Sequence, residues 1–110
     1  MAKKLTKRDI QKYQKTIGTA WSIASEGKSL DRTFTFTNFV EAFMFVTRIG
    51  VHAEVMHLYP HIEIDEHVVS LSIGDESTSS LTPEHFELAA KIDVIYALST
   101  TSVRKHRTHR

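Results

Sequence analysis

Cysteine is absent from this chain, and its absence excludes disulfide bonds, thiolate nucleophiles and zinc sites built from cysteine. It agrees with a reducing compartment, so we expect a cytoplasmic protein. The sequence also lacks an apolar run near the roughly 20 residues that a bilayer-spanning helix needs. The basic first residues are followed by no apolar segment, so they do not match a signal peptide. We therefore expect no membrane partner.

Charge is unevenly distributed, although the formal net charge is only +1. Residues 1–15 carry six basic and one acidic side chain, residues 16–103 carry four basic and twelve acidic ones, and residues 104–110 carry four basic ones. Such basic ends could contact nucleic acid or an acidic protein surface, but terminal charge runs are more often solvated. We expect one domain over residues 1–103, a disordered basic tail over residues 104–110 and no nucleic-acid partner.

The spacing of apolar residues changes between helix and strand periods along the chain. Steps of three and four predict three helices, near residues 6–17, from residue 38 to a stop no later than Pro60, and near residues 82–98. Alternation predicts four strands, near residues 20–23, 30–37, 61–65 and 68–73. Asn38 with Glu41 has the spacing of a capping box, and Pro83 stands at the favoured first position of the last helix.

The predicted order α-β-β-α-β-β-α indicates an α+β fold, with a four-stranded antiparallel sheet and helices packed mainly on one face. Four strands leave two edges, and an uncovered edge invites pairing with a second copy. We therefore expect a homodimer or a larger homo-oligomer. Leu98 is predicted for the apolar face of the last helix. A run of phenylalanines is predicted to lie in the core, at Phe34, Phe36, Phe39, Phe43 and Phe45.

Several short motifs occur in a characteristic order over most of the chain. They include the strand Arg32-Thr33-Phe34-Thr35-Phe36, the helix start Asn38-Phe39-Val40-Glu41-Ala42-Phe43, and Leu88-Ala89-Ala90-Lys91-Ile92-Asp93. In these motifs the chain resembles the pterin-4a-carbinolamine dehydratase family. The resemblance implies the fold predicted above, assembled as dimers or tetramers. It also implies an enzyme that removes water from a 4a-hydroxytetrahydropterin with no metal or organic cofactor.

The family's active site uses histidines, because one proton must reach the leaving hydroxyl and another must leave a ring nitrogen. Its signature is Glu, three residues, then His-His-Pro, a third His after the following long strand, and Asp at the start of the last helix. This chain keeps Glu54 and Pro60. The other signature positions hold different residues, in chain order Leu58, Tyr59, Glu76 and His85.

The exchanged residues are poorly suited to proton transfer. Leucine cannot transfer a proton, tyrosine has an ordinary pKa of about 10, and Glu76 would need burial to raise its pKa. Loss of one acid–base group typically costs about 10²–10⁴-fold in rate. An alternative is a rearranged site in which His57 and His61, which flank the altered pair, take over. A metal site from His52, His57 and His61 is a lesser alternative, because their spacing is irregular.

Two functions from different classes follow. The first is a non-catalytic protein that binds or assembles a protein client through Glu54, Tyr59, Pro60 and His61. The chain resembles the branch of the family that includes assembly factors for Rubisco in carboxysomes. The second is an active dehydratase with a rearranged His/Glu set, for which the partner would be a pterin.

Overall fold

The computed structural model describes residues 5–18, 20–24, 27–74 and 81–108. Within this part of the chain the helices are α1, α2 and α3, at Lys7–Ile17, Phe39–Met56 and Pro83–Thr108. The strands are β1, β2, β3 and β4, at Ser22–Ala24, Ser29–Thr35, His61–Asp65 and Val68–Ile73. This order confirms the predicted one. Because α3 ends at Thr108, it includes residues 104–108 of the predicted tail. The predicted end of the domain at residue 103 stays a prediction.

The four strands form one antiparallel sheet in the order β1-β2-β4-β3. The alternation read from the sequence sets the two faces of this sheet. Phe34 and Val69 pair across β2 and β4 on the face that the helices cover, where both are buried. Thr33 and Ser70 pair on the other face, which we call the open face. The α+β class and the antiparallel sheet are therefore confirmed.

The helix starts follow the local sequence. Thr6 and Asp9 form a reciprocal capping box at α1, although aspartate stands where glutamate is usual. At α2 the Asn38 side chain accepts a hydrogen bond from the Glu41 backbone N–H, at 2.9 Å. The Glu41 carboxylate accepts from the backbone N–H of Thr37, one residue earlier than in a regular capping box. These caps satisfy N–H groups that no helical turn can satisfy.

A polar group lies between the helices and the sheet. Asp93 of α3 accepts hydrogen bonds at one oxygen, Oδ1, from the Trp21 indole N–H at 2.8 Å and from the Arg32 guanidinium at 2.6 Å. The guanidinium lies 4.3 Å above the centre of the Phe34 ring. Burial raises the pKa of Asp93, and its bonds to Trp21 and Arg32 only partly oppose that rise. This group ties α3 to β2 and to the residue before β1.

Two of the five phenylalanines predicted for the core lie on the surface instead. Phe39 is 55% exposed and Phe43 is 54% exposed, and their rings stack with centroids 5.9 Å apart. The prediction was wrong because α2 carries apolar residues on two of its sides. Apolar spacing of three and four residues occurs on both sides, so this spacing alone does not show which side is buried. The side that faces the sheet carries Ala42, Phe45, Ile49 and Ala53.

The same correction applies to the last helix. Leu98 was predicted for the apolar inner face, but it is 62% exposed. It shares the outer side of α3 with Val94, which lies one turn earlier and is 59% exposed. Apolar residues at helical spacing identified the buried side of α3 correctly for Phe86, Leu88, Ala89 and Ile92, and only Leu98 at the far end was misassigned. Among the described residues, no helix is both long enough and apolar enough to cross a bilayer.

Candidate functional site

The segment from Glu54 to His61 makes a tight turn between α2 and β3. His57 adopts the left-handed conformation, with φ 54° and ψ 40°, and ends the helix. The backbone N–H of Leu58 then donates to the Ala53 carbonyl at 3.0 Å, which satisfies one of the last helical carbonyls. A non-glycine residue in this conformation is strained. The turn therefore reverses the chain at some conformational cost.

The two residues at the family's histidine pair point in different directions. Leu58 is partly buried and packs against the hydrophobic core. Tyr59 is 63% exposed, and its hydroxyl donates a hydrogen bond to Glu54 Oε2 at 3.0 Å. That hydrogen bond to a carboxylate raises the pKa of Tyr59 above its ordinary value. The Tyr59 hydroxyl therefore stays protonated near neutral pH, and Tyr59 itself cannot serve as the base that the family's histidine provides.

His85 lies at the start of α3 and is only 7% exposed. Its Nδ1 is 2.8 Å from the backbone nitrogen of Thr82 and 2.9 Å from the Thr82 hydroxyl. Because the backbone N–H donates, Nδ1 must carry a lone pair, and the ring acts as a cap at the helix start. Burial lowers the pKa of His85, which also favours the neutral ring. His85 therefore has a structural partner where the family has a carboxylate.

His61 lies on the open face of the sheet, beside residues that are distant from it in the sequence. It pairs with Ser72 across β3 and β4, and Ser72 pairs with Asp31 on β2. The Ser72 hydroxyl donates to the Asp31 carboxylate at 2.7 Å. With Glu63 these residues line a shallow depression of about 260 Å³. Alternation predicted which residues share this face, but only the register of the strands shows that they are neighbours.

The predicted site is therefore not assembled as one cluster among the described residues. His57 is exposed at the helix end, His61 lies on the open face, and His85 is buried at α3. Glu76 lies outside the described residues. In the described ranges, no three His, Asp or Glu side chains are grouped so that they could hold a metal ion, so His52, His57 and His61 do not form one there.

A family model described as pterin 4 alpha carbinolamine dehydratase matches residues 3–95. A relative of that name from Sinorhizobium fredii is 36% identical over 73 residues, which are 66% of this chain and 70% of the relative. A second, from Prochlorococcus marinus, is 34% identical over 93 residues, which are 84% of this chain and 94% of the relative.

Two solved structures have a similar fold. A transcriptional coactivator/pterin dehydratase from Brucella melitensis superimposes with a TM-score of 0.77 at 20% identity, covering 86% of this chain and 99% of the other. A pterin dehydratase-like protein, identified as a RuBisCO assembly factor in the alpha-carboxysome, superimposes with a TM-score of 0.62 at 16% identity. That match covers 73% of this chain and 93% of the other. At these identities the likeness is one of fold.

Proposed function

This chain belongs to the pterin 4 alpha carbinolamine dehydratase family, and we propose that within it the chain is a non-catalytic protein that binds or assembles a protein client. The observation that carries the proposal is the state of three signature positions. Leu58 packs against the core, the Tyr59 hydroxyl is donated to Glu54, and the His85 ring caps a helix. None of the three offers an unengaged imidazole or carboxyl group for general acid–base catalysis.

The end of α2 is the proposed contact with a client. Tyr59 is well exposed beside Pro60, and Glu54 holds its hydroxyl in place. Tyrosine is enriched at protein interfaces, because a large rigid ring and a polar tip contribute contact area and specificity together. His61 follows directly at the start of β3. Because one structural neighbour is a RuBisCO assembly factor, Rubisco is the first client to test, and we expect a cytoplasmic homo-oligomer.

A rearranged dehydratase is the second candidate, because the chain belongs to a dehydratase family and one of its two candidate histidines lies in a polar depression. The His61 side chain borders this depression, which also contains the Asp31–Ser72 hydrogen bond. Histidine is the side chain most often used for general acid–base catalysis. This arrangement lies on the open face of the sheet, however, while the Tyr59–Glu54 pair lies at the end of α2.

A dehydratase assay separates the two candidates. Turnover of a 4a-hydroxytetrahydropterin is measured for the full chain, for a His57→Ala/His61→Ala double variant, and for a family member with an intact His-His-Pro motif as positive control. We expect the chain and its double variant to match the uncatalysed rate. Turnover above background that disappears in the double variant would refute the non-catalytic proposal and assign the chemistry to these two histidines.

Binding to a client is measured separately. The full chain is mixed with purified Rubisco large subunit during refolding, and complex formation and recovered holoenzyme are quantified. A Tyr59→Ala variant should lose binding, while a Val94→Ala variant, which changes a similarly exposed residue on the outer side of α3, should retain it. Equal behaviour of both variants would show that Tyr59 is not a contact. No complex with the full chain would exclude Rubisco as the client.

A further inference from the structure

The open face of the sheet has a depression of about 260 Å³ above β4. It is present because β4, an inner strand, carries small serine side chains here, while the strands on either side carry longer ones. Ser70 and Ser72 form the floor, and β2 and β3 supply the two sides. The open-face side chains that line it are Asp31, Thr33, His61, Glu63, Ser70 and Ser72.

The open face is acidic. Besides His61, the ionisable side chains that the four strands place there are Asp31, Glu63 and Asp65. Arg32 is the one arginine or lysine in these strands, and it is directed to the opposite face, where it donates to Asp93 at 2.6 Å. Within the described ranges, none of the three open-face carboxylates forms an ion pair. The described part of the chain therefore leaves this negative charge without a cation.

The depression is rich in hydrogen-bond acceptors. The Ser72 hydroxyl donates its hydrogen to Oδ1 of Asp31 at 2.7 Å. A hydroxyl has one hydrogen and two lone pairs, so the oxygen of Ser72 can still accept. Oδ2 of Asp31 and the carboxylate of Glu63 accept no hydrogen bond from the described residues. A ligand that fits this depression must therefore bring donors.

The two lining carboxylates stand on opposite sides of the floor. Asp31 pairs with Ser72 and Glu63 pairs with Ser70. Their Cα atoms are thus separated by two strand spacings and by two residues along the strands, which is roughly 12 Å. A ligand that contacts both carboxylates must be wide and must carry donors on more than one edge. The planar guanidinium of arginine has five N–H donors and no acceptor, whereas the ammonium of lysine is a compact point charge.

We propose that this depression binds an arginine side chain of a partner protein, with the guanidinium above the two serines and between the carboxylates of Asp31 and Glu63. This inference rests on the client-binding function proposed above, and it deepens that function by assigning an exposed arginine to the client. His61 connects the two contacts, because it follows Pro60 directly in the chain and lines the depression. A client that contacts Tyr59 therefore lies close to this acidic surface.

Other ligands fit the depression less well. Within the described residues, no three His, Asp or Glu side chains are placed to hold a metal ion. A flat ring system such as a pterin needs more room, since pockets for small molecules have volumes of roughly 300–1,000 Å³. The described lining residues also include no phenylalanine, tyrosine or tryptophan on which such a ring could stack. A nucleic acid would bring phosphates to an acidic surface. One long cationic side chain matches both the volume and the charge.

Nuclear magnetic resonance titration of the ¹⁵N-labelled full chain tests the site. The probe is a blocked pentapeptide, Gly-Ser-Arg-Ser-Gly, and two control peptides carry lysine or neutral citrulline in place of arginine. The lysine peptide should bind several-fold more weakly, and the citrulline peptide should not bind. We expect the arginine peptide to shift the backbone amide signals of Asp31, Glu63, Ser70 and Ser72. If these signals do not move with the arginine peptide at up to about 10 mM, the proposal is overturned.

Variants that remove one charge each locate the contact. Asp31→Asn keeps an oxygen that can accept from Ser72, and Glu63→Gln keeps the length of the side chain, so both should fold as the native chain does. Each should weaken binding of the arginine peptide by about 10-fold, as expected for one charge-assisted hydrogen bond. Asp65→Asn is the matched control, because it removes a charge from the same face outside the depression. It should weaken binding by less than about 2-fold.

A change of shape gives a test that does not depend on charge. Ser70→Val fills the floor of the depression and keeps a side chain that suits a strand, so it should abolish binding of the arginine peptide. Circular dichroism checks that every variant folds. Native affinity in Ser70→Val would overturn the proposal. So would an equal loss in Asp65→Asn and Asp31→Asn, because that result would indicate a general attraction to the acidic face.

The same variants separate this inference from the proposed function. If the client binds the native chain and binds Asp31→Asn and Glu63→Gln equally well, the depression is not a client contact, and the inference fails while client binding stands. If the arginine peptide binds at the depression but purified Rubisco large subunit does not bind the chain, the proposed client is wrong and the arginine site stands.

Discussion

The hydrogen bonds of Asp93 make a quantitative prediction about stability. Asp93→Ala removes the acceptor of the Trp21 indole, which is 0% exposed, and the partner of Arg32. Asp93→Asn keeps the shape and an oxygen acceptor but removes the charge. The two variants therefore separate the contribution of the buried acceptor from that of the ion pair.

The acceptor should contribute more than the charge. A buried donor left without a partner costs about 1–3 kcal/mol, and the Trp21 N–H would be such a donor. The ion pair contributes less, because the side chains of Arg32 and Asp93 keep 19% and 27% exposure and exposed pairs contribute about 0–1 kcal/mol. Burial also raises the pKa of Asp93, so its partners do not fully offset the desolvation of the carboxylate.

We therefore expect Asp93→Ala to destabilise the fold by about 2–4 kcal/mol and Asp93→Asn by about 1 kcal/mol. Since about 1 kcal/mol shifts Tm by roughly 4–8 °C in a domain of this size, the alanine variant should melt roughly 8–32 °C lower. Urea denaturation is monitored by fluorescence of the single tryptophan, Trp21, and by circular dichroism. Asp65→Ala, at an exposed strand position, is the control. If Asp93→Asn and Asp93→Ala lose the same amount of stability, the hydrogen-bond acceptor does not contribute more than the charge, and the reasoning is refuted.

Three further predictions concern the turn and the caps. His57→Gly should stabilise the fold by about 0.5–1 kcal/mol in thermal denaturation, because glycine adopts the left-handed conformation without strain, and a loss would show that the His57 ring makes a stabilising contact. Glu54→Gln should lower the pKa of Tyr59 in a spectrophotometric titration, since the carboxylate favours the protonated phenol. The folded pKa of His85 is lowered, so the unfolded chain binds more protons as pH falls below about 6.5 and stability should fall there. His85→Gln should reduce that pH dependence in urea titrations.

The element order and the sheet faces could be predicted because they depend on local periodicity. Phe34 alternates with threonines, and a period of two places it on the covered face wherever the strand pairs. The cap formed by Thr6 and Asp9 likewise needs only residues three apart. These interactions are local, and the sequence shows them directly.

Features that depend on tertiary contacts could not be predicted. Ser72 lies between Asp31 and His61 because three strands pair side by side. The two-residue turn between β3 and β4 fixes the pairing of His61 with Ser72, but the pairing of β2 with β4 joins distant parts of the sequence and has no local signal. The inner side of α2 was misassigned because Phe43 and Phe45 have equal hydrophobicity, and only contact with the sheet distinguishes them. Thr82 was predicted to cap α3, but the part that His85 plays in this cap was missed, because His85 was interpreted through the family signature and not as a hydrogen-bond acceptor.

The charge of the protein limits what kind of client can bind. The exposed acidic side chains include Glu54, which holds the Tyr59 hydroxyl, and Glu63 and Asp65 on β3. The body of the chain over residues 16–103 has twelve acidic and four basic side chains, so a client surface should be basic. Electrostatic attraction between exposed groups is screened over about 10 Å at 0.1 M salt.

We therefore expect the affinity for a client to fall as sodium chloride rises from about 0.05 M to 0.5 M, because salt screens the attraction between the acidic body of this chain and a basic client surface. Titration calorimetry with purified Rubisco large subunit at several salt concentrations measures this dependence. An affinity that does not change with salt would show that the contact does not depend on the acidic side chains, and the apolar ring of Tyr59 would then have to supply most of the binding free energy.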